Sequence, residues 1–411
     1  MSSKDGKRKR PLVPRLRFPE FREAGEWKRY KLANFLTESR VEGNSGKVAR
    51  KITVKLWGKG VFAKQESIKG SENTKYYKRS AGQFIYSKLD FLNQAFGLVP
   101  KELDGYESTV DLPCFDINDG LNPIFLLEYV KRENFYKKNG EFADGGRKAK
   151  RIQTEIFLSF PIELPHQRAE QQKIADCLSS LDERITLEAQ KLEALKRHKK
   201  GLMQQLFPRE GETLPRLRFP EFREAGEWKV KPLGTLCRIR TGSKDVNEGN
   251  DSGKYPFFTC ADKISHSNSF SFDTEAILVA GNANVGQTKY YSGKFEAYQR
   301  TYVLTDFKIH GKFLYAYLDF YLRDNLLKQI QRSAMSYIRL SMLQEQFIPI
   351  PINNYEELKI TNSNKEEQQK IADCLSSLDE LISLEAQKLE ALKRHKKGLM
   401  QQIFPLLEDE T

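Results

Sequence analysis

The sequence predicts an α+β protein in which two strand-rich α/β lobes are carried on two long coiled-coil helices. Three observations predict it. The fifteen-residue stretch PRLRFPEFREAGEWK begins at Pro14 and is spelled again, unchanged, from Pro215. A longer stretch, Glu170 to Pro208, returns at Glu367 to Pro405 with three of its 39 positions altered: Arg184 becomes Leu381, Thr186 becomes Ser383 and Leu206 becomes Ile403. Between the repeats lie two blocks, residues 29–169 and 230–366, similar in size at 141 and 137 residues but sharing little wording. Frames kept and contents replaced is the pattern of two modules on a common holder.

Taken in order, the chain opens on MSSKDGKRKR with no apolar run behind it. No signal peptide or membrane span is expected there, only a basic tail over residues 1–13, either solvated or touching phosphate. In the two blocks, GQFIYSKLDF, EIFLSFPIELP, TEAILVAG and EAYQRTYVL have the β-branched and aromatic character of strands. Each block carries one helical run late on, NPIFLLEYVKRENFYKK from Asn122 and KFLYAYLDFYLRDNLLKQI from Lys312. A basic or serine-rich stretch follows each run, then a strand ending in proline, then the long repeat. The two blocks therefore share a layout.

The long repeat reads as a helix with a heptad seam. In the first copy the seam is Ile174, Leu178, Leu181, Ile185, Leu192, Leu195 and Leu202, with gaps at Glu188 and Lys199. In the second it is Ile371, Leu375, Leu378, Ile382, Leu389, Leu392 and Leu399. Asn364, three residues before Glu367, offers an N-cap with its reciprocal acid. Some 35 residues make a rod of roughly 50 Å. A stripe this apolar needs a partner: the two rods pair with each other, or each docks on its own lobe.

Composition narrows the class. At 411 residues the chain holds two or three domains, and 68 Lys and Arg against 55 Asp and Glu leave a formal charge of +13, which favours a polyanionic partner. The five cysteines form no C-x-x-C pair and the five histidines no cluster of metal-ligand spacing. A cytoplasmic protein with buried thiols and no structural metal is expected.

The opening RLRFPEF…W before each lobe, AGQFIYSKLD…AFGLVP from Ala81 to Pro100, SMLQEQFIPIP from Ser341 and both EQQKIADCLSSLDE helices together resemble the specificity subunit of Type I restriction–modification systems, over essentially the whole chain. The resemblance implies two target-recognition domains in a pseudo-two-fold arrangement, joined by two long antiparallel helices, each domain reading half of a split sequence in double-stranded DNA. It implies no chemistry in this chain: the subunit positions two methyltransferase subunits and, in the full complex, two ATP-driven restriction (translocase) subunits. S-adenosylmethionine, ATP and Mg are expected on those partners and no cofactor or metal here. The expected domains are a tail at 1–13, a recognition domain at 14–168, a helix at 169–208, a second recognition domain at 209–365, a second helix at 366–405 and a tail at 406–411. Two near-identical helices offer one docking site twice.

The remaining motifs argue against a catalytic site. NPIF at Asn122 to Phe125 lacks the second proline of an adenine-holding methyltransferase motif and sits at a predicted helix start, where Pro123 is at home. GNANVGQT at Gly281 to Thr288 has phosphate-loop glycines but Gln287 in place of the lysine, and reads as a turn after AILVA. Asp111, Asp116 and Asp119 are too loosely spaced for a metal nuclease and suit turns. No catalytic residue is assigned. A coiled-coil scaffold binding protein or RNA, or an endonuclease with an unrecognised site, remains the competing reading.

Contact with DNA is expected in a few segments that mix basic, aromatic and amide side chains. The first lobe offers Lys75, Tyr76, Tyr77, Lys78 and Arg79, then Lys88, then the basic stretch with Arg147, Lys148, Lys150 and Arg151. In the second lobe the candidates are Asn282, Asn284 and Gln287, followed by Lys289, Tyr290 and Arg300. Arg332, Ser336, Tyr337 and Arg339 stand at the position matching the first lobe's basic stretch. Phosphate contacts fix register, while arginine on guanine and amides on adenine specify bases.

Overall fold

The computed structural model describes residues 11–65, 71–141, 151–250, 252–331, 337–351 and 362–405. They form two compact units, one of residues up to Glu188 together with those from Lys388 onward, the other of Ala189–Gln387.

The first unit opens with the short repeat, whose PEF folds as a 3-10 turn over Pro19–Phe21. Eleven strands follow: β1 (Lys28–Lys31), β2 (Leu36–Ser39), β3 (Glu42–Ser45), β4 (Ile52–Lys55), β5 (Gly60–Ala63), β6 (Lys75–Lys78), β7 (Phe84–Tyr86), β8 (Phe96–Leu98), β9 (Glu107–Ser108), β10 (Cys114–Ile117) and β11 (Pro161–Leu164). The helices are α1 (Pro123–Val130), α2 (Glu133–Gly140), α3 (Thr154–Ser159) and α4 (Arg168–Leu206). The sheets run β2-β10-β7-β8 and β3-β6-β9, with β4-β5 as a hairpin and β1 antiparallel to β11. Their apolar faces close on an aromatic core in which Phe157 stacks on Phe84 at 5.7 Å and meets Tyr86 at 4.4 Å.

Two expectations shift in this unit. EIFLS, read as strand, is α3, because Phe157 must turn into that core; only PIEL is extended. The run from Asn122 is two helices instead of one. Asn122 caps α1 by accepting from the N–H groups of Ile124 and Phe125, with Pro123 in the first turn. Arg132 is then extended, its guanidinium 4.1 Å over the Tyr129 ring, and the chain restarts so that Phe135 and Tyr136 are both buried.

The second unit repeats this entry with a turn at Pro220–Phe222 and β12 (Trp228–Pro232). A short α5 (Leu233–Leu236) leads to β13 (Arg238–Thr241), β14 (Tyr255–Phe258), β15 (Ser265–Ser267), β16 (Phe272–Ala280), β17 (Thr288–Ala297) and β18 (Thr301–Thr305). These make one six-stranded sheet, β13-β18-β16-β17-β14-β15, antiparallel except at β14–β17. Then come α6 (Gly311–Gln331), α7 (Leu340–Gln344), β19 (Phe347–Pro351), which pairs with β12, and α8 (Asn362–Ile403). TEAILVA runs to the C-terminal end of β16, while EAYQRTYVL is split between β17 and β18 by a turn at 298–300.

None of the fourteen seam residues is exposed, and both arrangements left open by the sequence occur together. Ile174 and Leu178 of α4 lie in the first lobe's core, and Ile371 and Leu375 of α8 in the second's. The helices also pair with each other within each unit. In the first, Asp182 meets Lys396 at 2.6 Å and Glu188 meets Lys388 at 2.5 Å. In the second, Lys191 meets Glu385, and Lys199 meets Asp379 at 2.6 Å. Partners descend on α8 as positions ascend on α4, so the pairing is antiparallel. The gaps at Glu188 and Lys199, and their counterparts Glu385 and Lys396, are thus seam positions filled by interhelical ion pairs, a known device for fixing register. α8 begins at Asn362, so the expected capping position, 364, lies inside the helix, and the Glu367 carboxylate is taken by Arg218.

Candidate nucleic-acid interface

Each lobe is bolted to its helix by residues of the two repeats. Arg17 donates from Nε and Nη2 to the two carboxylate oxygens of Glu170, at 2.7 Å each, and from Nη1 to the Gly25 carbonyl at 2.6 Å. Arg218 does the same with Glu367, at 2.7 and 2.8 Å, and with Gly226 at 2.7 Å. Gln171 accepts from the Asn122 N–H at 2.9 Å, and Gln368 from the His310 N–H at 2.8 Å, so the same repeat position holds the start of a different lobe helix in each unit. On the other side of the short repeat, Leu16 N–H donates to Gln402 of α8 and Leu217 N–H to Gln205 of α4. Identical residues make one joint twice, which leaves the lobe surfaces free to differ.

In the second lobe the candidates converge. The β16–β17 turn is closed by Gly286 N–H on Ala280 and Gln287 N–H on Asn284, and Gly281 N–H reaches the Arg300 carbonyl at 2.9 Å. A Cβ at Gly281 would stand 2.5 Å from that carbonyl oxygen, so no larger residue permits the approach. Ile338 N–H donates to Gly281 at 2.9 Å, and its own carbonyl accepts from the buried Tyr302 hydroxyl at 3.0 Å. Three distant segments are thereby stapled around a cleft of about 270 Å³, lined by Gln299, Arg300, Tyr337 and Arg339 among others. Arg300, Tyr337 and Arg339 are exposed, and Asn282 and Asn284 lie half-buried on the adjoining turn. Gln299, not among the sequence candidates, stands beside them; its place directly before Arg300 is the one signal the sequence offers for it. A larger cleft, of about 1040 Å³, lies elsewhere in the unit, against Gln369, Lys370 and Asp373 of α8.

Other second-lobe candidates are committed to the fold. Gln287 donates to Asp262 Oδ1 at 2.7 Å, and Lys289 to the carbonyls of Ala261 and Asp262 at 2.7 and 3.1 Å, clamping the loop after β14. Partial burial pushes the Lys289 ammonium below the ordinary lysine range. Tyr290 packs on Tyr315 and gives its hydroxyl to Glu275; burial and that carboxylate push its pKa up. These three brace the lobe.

In the first lobe Arg79 requires the plainest correction. It is 2% exposed, and its guanidinium donates to Ser108 Oγ at 2.8 Å and to the carbonyls of Ser39 and Leu112 at 2.7 and 3.3 Å. Burial is the first influence on it and works against its charge, so it is an interior strut and not a reading head. Its neighbours on β6 divide, with Lys75 and Lys78 exposed and Tyr76 and Tyr77 half-buried. Lys88 and Arg151 are brought together: Ile152 N–H donates to the Lys88 carbonyl at 3.0 Å, and Arg151 Nε lies 3.9 Å from Asp111. Arg147, Lys148, Lys150, Arg332 and Ser336, with most of the basic tail, lie outside the described residues.

A family model described as the Type I restriction modification DNA specificity domain matches residues 115–197 and 225–394, more than half of the chain. Over 128 residues the chain is 41% identical to the Type I restriction enzyme EcoDI specificity subunit of Escherichia coli, a match covering 30% of this chain and 28% of that one. It is 23% identical over 420 residues to the Type I restriction enzyme MjaVIII specificity subunit of Methanocaldococcus jannaschii, covering 94% and 92% of the two. The fold is shared with the Type I S subunit from M. genitalium, with a TM-score of 0.65 at 15% identity over 96% of this chain and 100% of that one. It is also shared with a chain from a structure of a type I R-M system concerned with complex assembly and conformational transition, with a TM-score of 0.52 at 18% identity over 92% and 97%. A joint built twice from repeated residues around two dissimilar lobes, and a family match that takes in parts of both lobes and both helices, lead to one assignment: the chain belongs to the Type I restriction–modification DNA specificity family.

Proposed function

We propose that this chain is the DNA sequence-recognition subunit of a Type I restriction–modification assembly and reads an asymmetric bipartite target, one lobe per half-site. The observation that carries the reading is the duplicated joint: the contacts from Arg17 to Glu170 and from Arg218 to Glu367 are the same, whereas the sheets they hold differ. Equal mounts for unequal heads suit two different half-sites. The basic balance of the whole chain supports a polyanionic ligand.

In this proposal the repeated helices present the same surface to two methyltransferase subunits, and two restriction subunits join the full complex. S-adenosylmethionine, ATP and Mg act on those partners, and this chain supplies recognition without catalysis. Faces of B-DNA recur every 34–36 Å or so, and the 39 residues of α4 extend about 58 Å, long enough to set an unread spacer of about one turn.

The test is co-expression with the neighbouring methyltransferase, followed by mapping of modified adenines. The expected motif is two short, dissimilar sequences at a fixed gap. One contiguous motif, or no modification dependent on this chain, sinks the proposal. Cleavage of DNA by the purified chain with magnesium alone would instead favour an endonuclease.

A further inference from the structure

The two lobes differ in sheet order, yet one local device is common to both. In the second lobe Tyr302 is buried, its hydroxyl donates to the Ile338 carbonyl at 3.0 Å, and Ile338 N–H donates to the carbonyl of Gly281 at 2.9 Å. In the first lobe the Tyr86 hydroxyl donates to the Ile152 carbonyl at 3.0 Å, and Ile152 N–H donates to the Lys88 carbonyl at 3.0 Å. Both isoleucines are buried, at 1% and 3% exposure, and each lies a few residues before a short helix and the closing strand of its lobe. The residue immediately after each isoleucine is held in nearly one backbone conformation: φ −71°, ψ 158° at Gln153 and φ −97°, ψ 158° at Arg339. Gln153 is half-buried and Arg339 exposed, so neither side chain is consumed by the core.

A pinned backbone with an outward side chain is what base reading requires, because a bidentate contact fails when its mount moves. The chemistry at this shared position differs between the lobes in an informative way. The guanidinium fork of Arg339 matches the O6 and N7 acceptors of guanine, whereas the amide of Gln153 matches the N6 donor and N7 acceptor of adenine. Arg300 and Tyr337 line the same cleft as Arg339, so its surroundings are also polar and exposed.

We propose that Gln153 and Arg339 occupy one equivalent base-reading position, selecting adenine in the first lobe's half-site and guanine in the second's. The inference rests on the reading of this chain as a bipartite DNA-recognition subunit. It adds a residue, Gln153, and a base for each lobe.

The experiment uses the full chain assembled with its methyltransferase, selected against DNA randomised in both halves, with wild type, Q153R, R339Q and R339K compared. Wild type yields the two half-site preferences. R339Q is expected to change one position of one half-site from guanine toward adenine and to leave the other half intact; Q153R is expected to do the reverse in the other half. Discrimination at the altered position should fall roughly ten- to hundredfold. R339K keeps the charge but loses the planar fork, so it should weaken the guanine preference without changing its base, while retaining the wild-type salt slope. Unchanged preferences in all three variants, or weakening spread evenly over all sequences, would overturn the assignment and leave a phosphate contact or none. A wild-type assembly with no bipartite preference would instead defeat the functional reading beneath it.

Discussion

Glu170 and Glu367 are the same residue of the same repeat, almost fully buried, and each is paired twice with an arginine. Removing one partner of a buried ion pair is costly because the other charge stays desolvated, typically about 3–5 kcal/mol. Their surroundings differ in one respect. The Trp27 indole N–H also donates to Glu170 at 3.3 Å, whereas the buried Trp228 Nε1 has no hydrogen-bond partner among the described residues. Glu170→Ala, which removes the acceptor of both donors, is therefore expected to destabilise its unit by about 1 kcal/mol more than Glu367→Ala destabilises the other, the worth of one further hydrogen bond. Hydrogen exchange resolved by unit measures both. Equal losses would show that the tryptophan contact contributes nothing.

The helices show why polar residues interrupt an apolar seam. Lys396 lies at 2.7 Å from the buried Glu128 of α1 and at 2.6 Å from Asp182, so one ammonium ties α8 both to the lobe and to α4. Burial alone would raise the Glu128 carboxyl, but Lys131 and Lys396 outweigh it and hold the group below the usual carboxylate range. The sign of the linkage follows. Stability from this cluster is complete above the unfolded glutamate value of about 4.3 and is lost as pH falls through the lower folded value. Lys396→Leu strands part of a buried charge and should cost about 2 kcal/mol, with a weaker acid dependence of melting than wild type. Glu188→Leu takes one carboxylate from Lys388, which reaches water, and adds apolar seam, so its effect should lie within about 1 kcal/mol of zero. Melting temperature against pH for the two variants separates the cases; a larger loss from Glu188→Leu would show that register, not desolvation, dominates.

At the scale of the whole molecule, each rod is continuous, with 39 residues in α4 and 42 in α8. If rod length sets the unread spacer, deleting one heptad at matching positions of both helices keeps the seam in phase and shortens each rod by about 10 Å. The mapped motif should then keep both half-sites and lose about three base pairs of gap. An altered half-site would show that the helices shape the lobes as well as separate them.

The sequence by itself determined the frame. Verbatim repetition and a heptad period are properties of the chain read linearly, and they were enough for two lobes and two rods; the family came separately, from the resemblance carried by motifs such as AGQFIYSKLD…AFGLVP and EQQKIADCLSSLDE. It also located the start of α1, because Asn122 followed by Pro123 is a local signal. Only the tertiary structure decided which candidates face outward. Arg79 and Lys78 are adjacent and both basic, yet one is an interior strut and the other is exposed, since the carbonyls awaiting Arg79 come from distant segments. Arg300, Tyr337 and Arg339 meet at one cleft for the same kind of reason: the Gly281 and Tyr302 hydrogen bonds that gather them join residues tens of positions apart, and no local pattern encodes which carbonyl a buried hydroxyl will find.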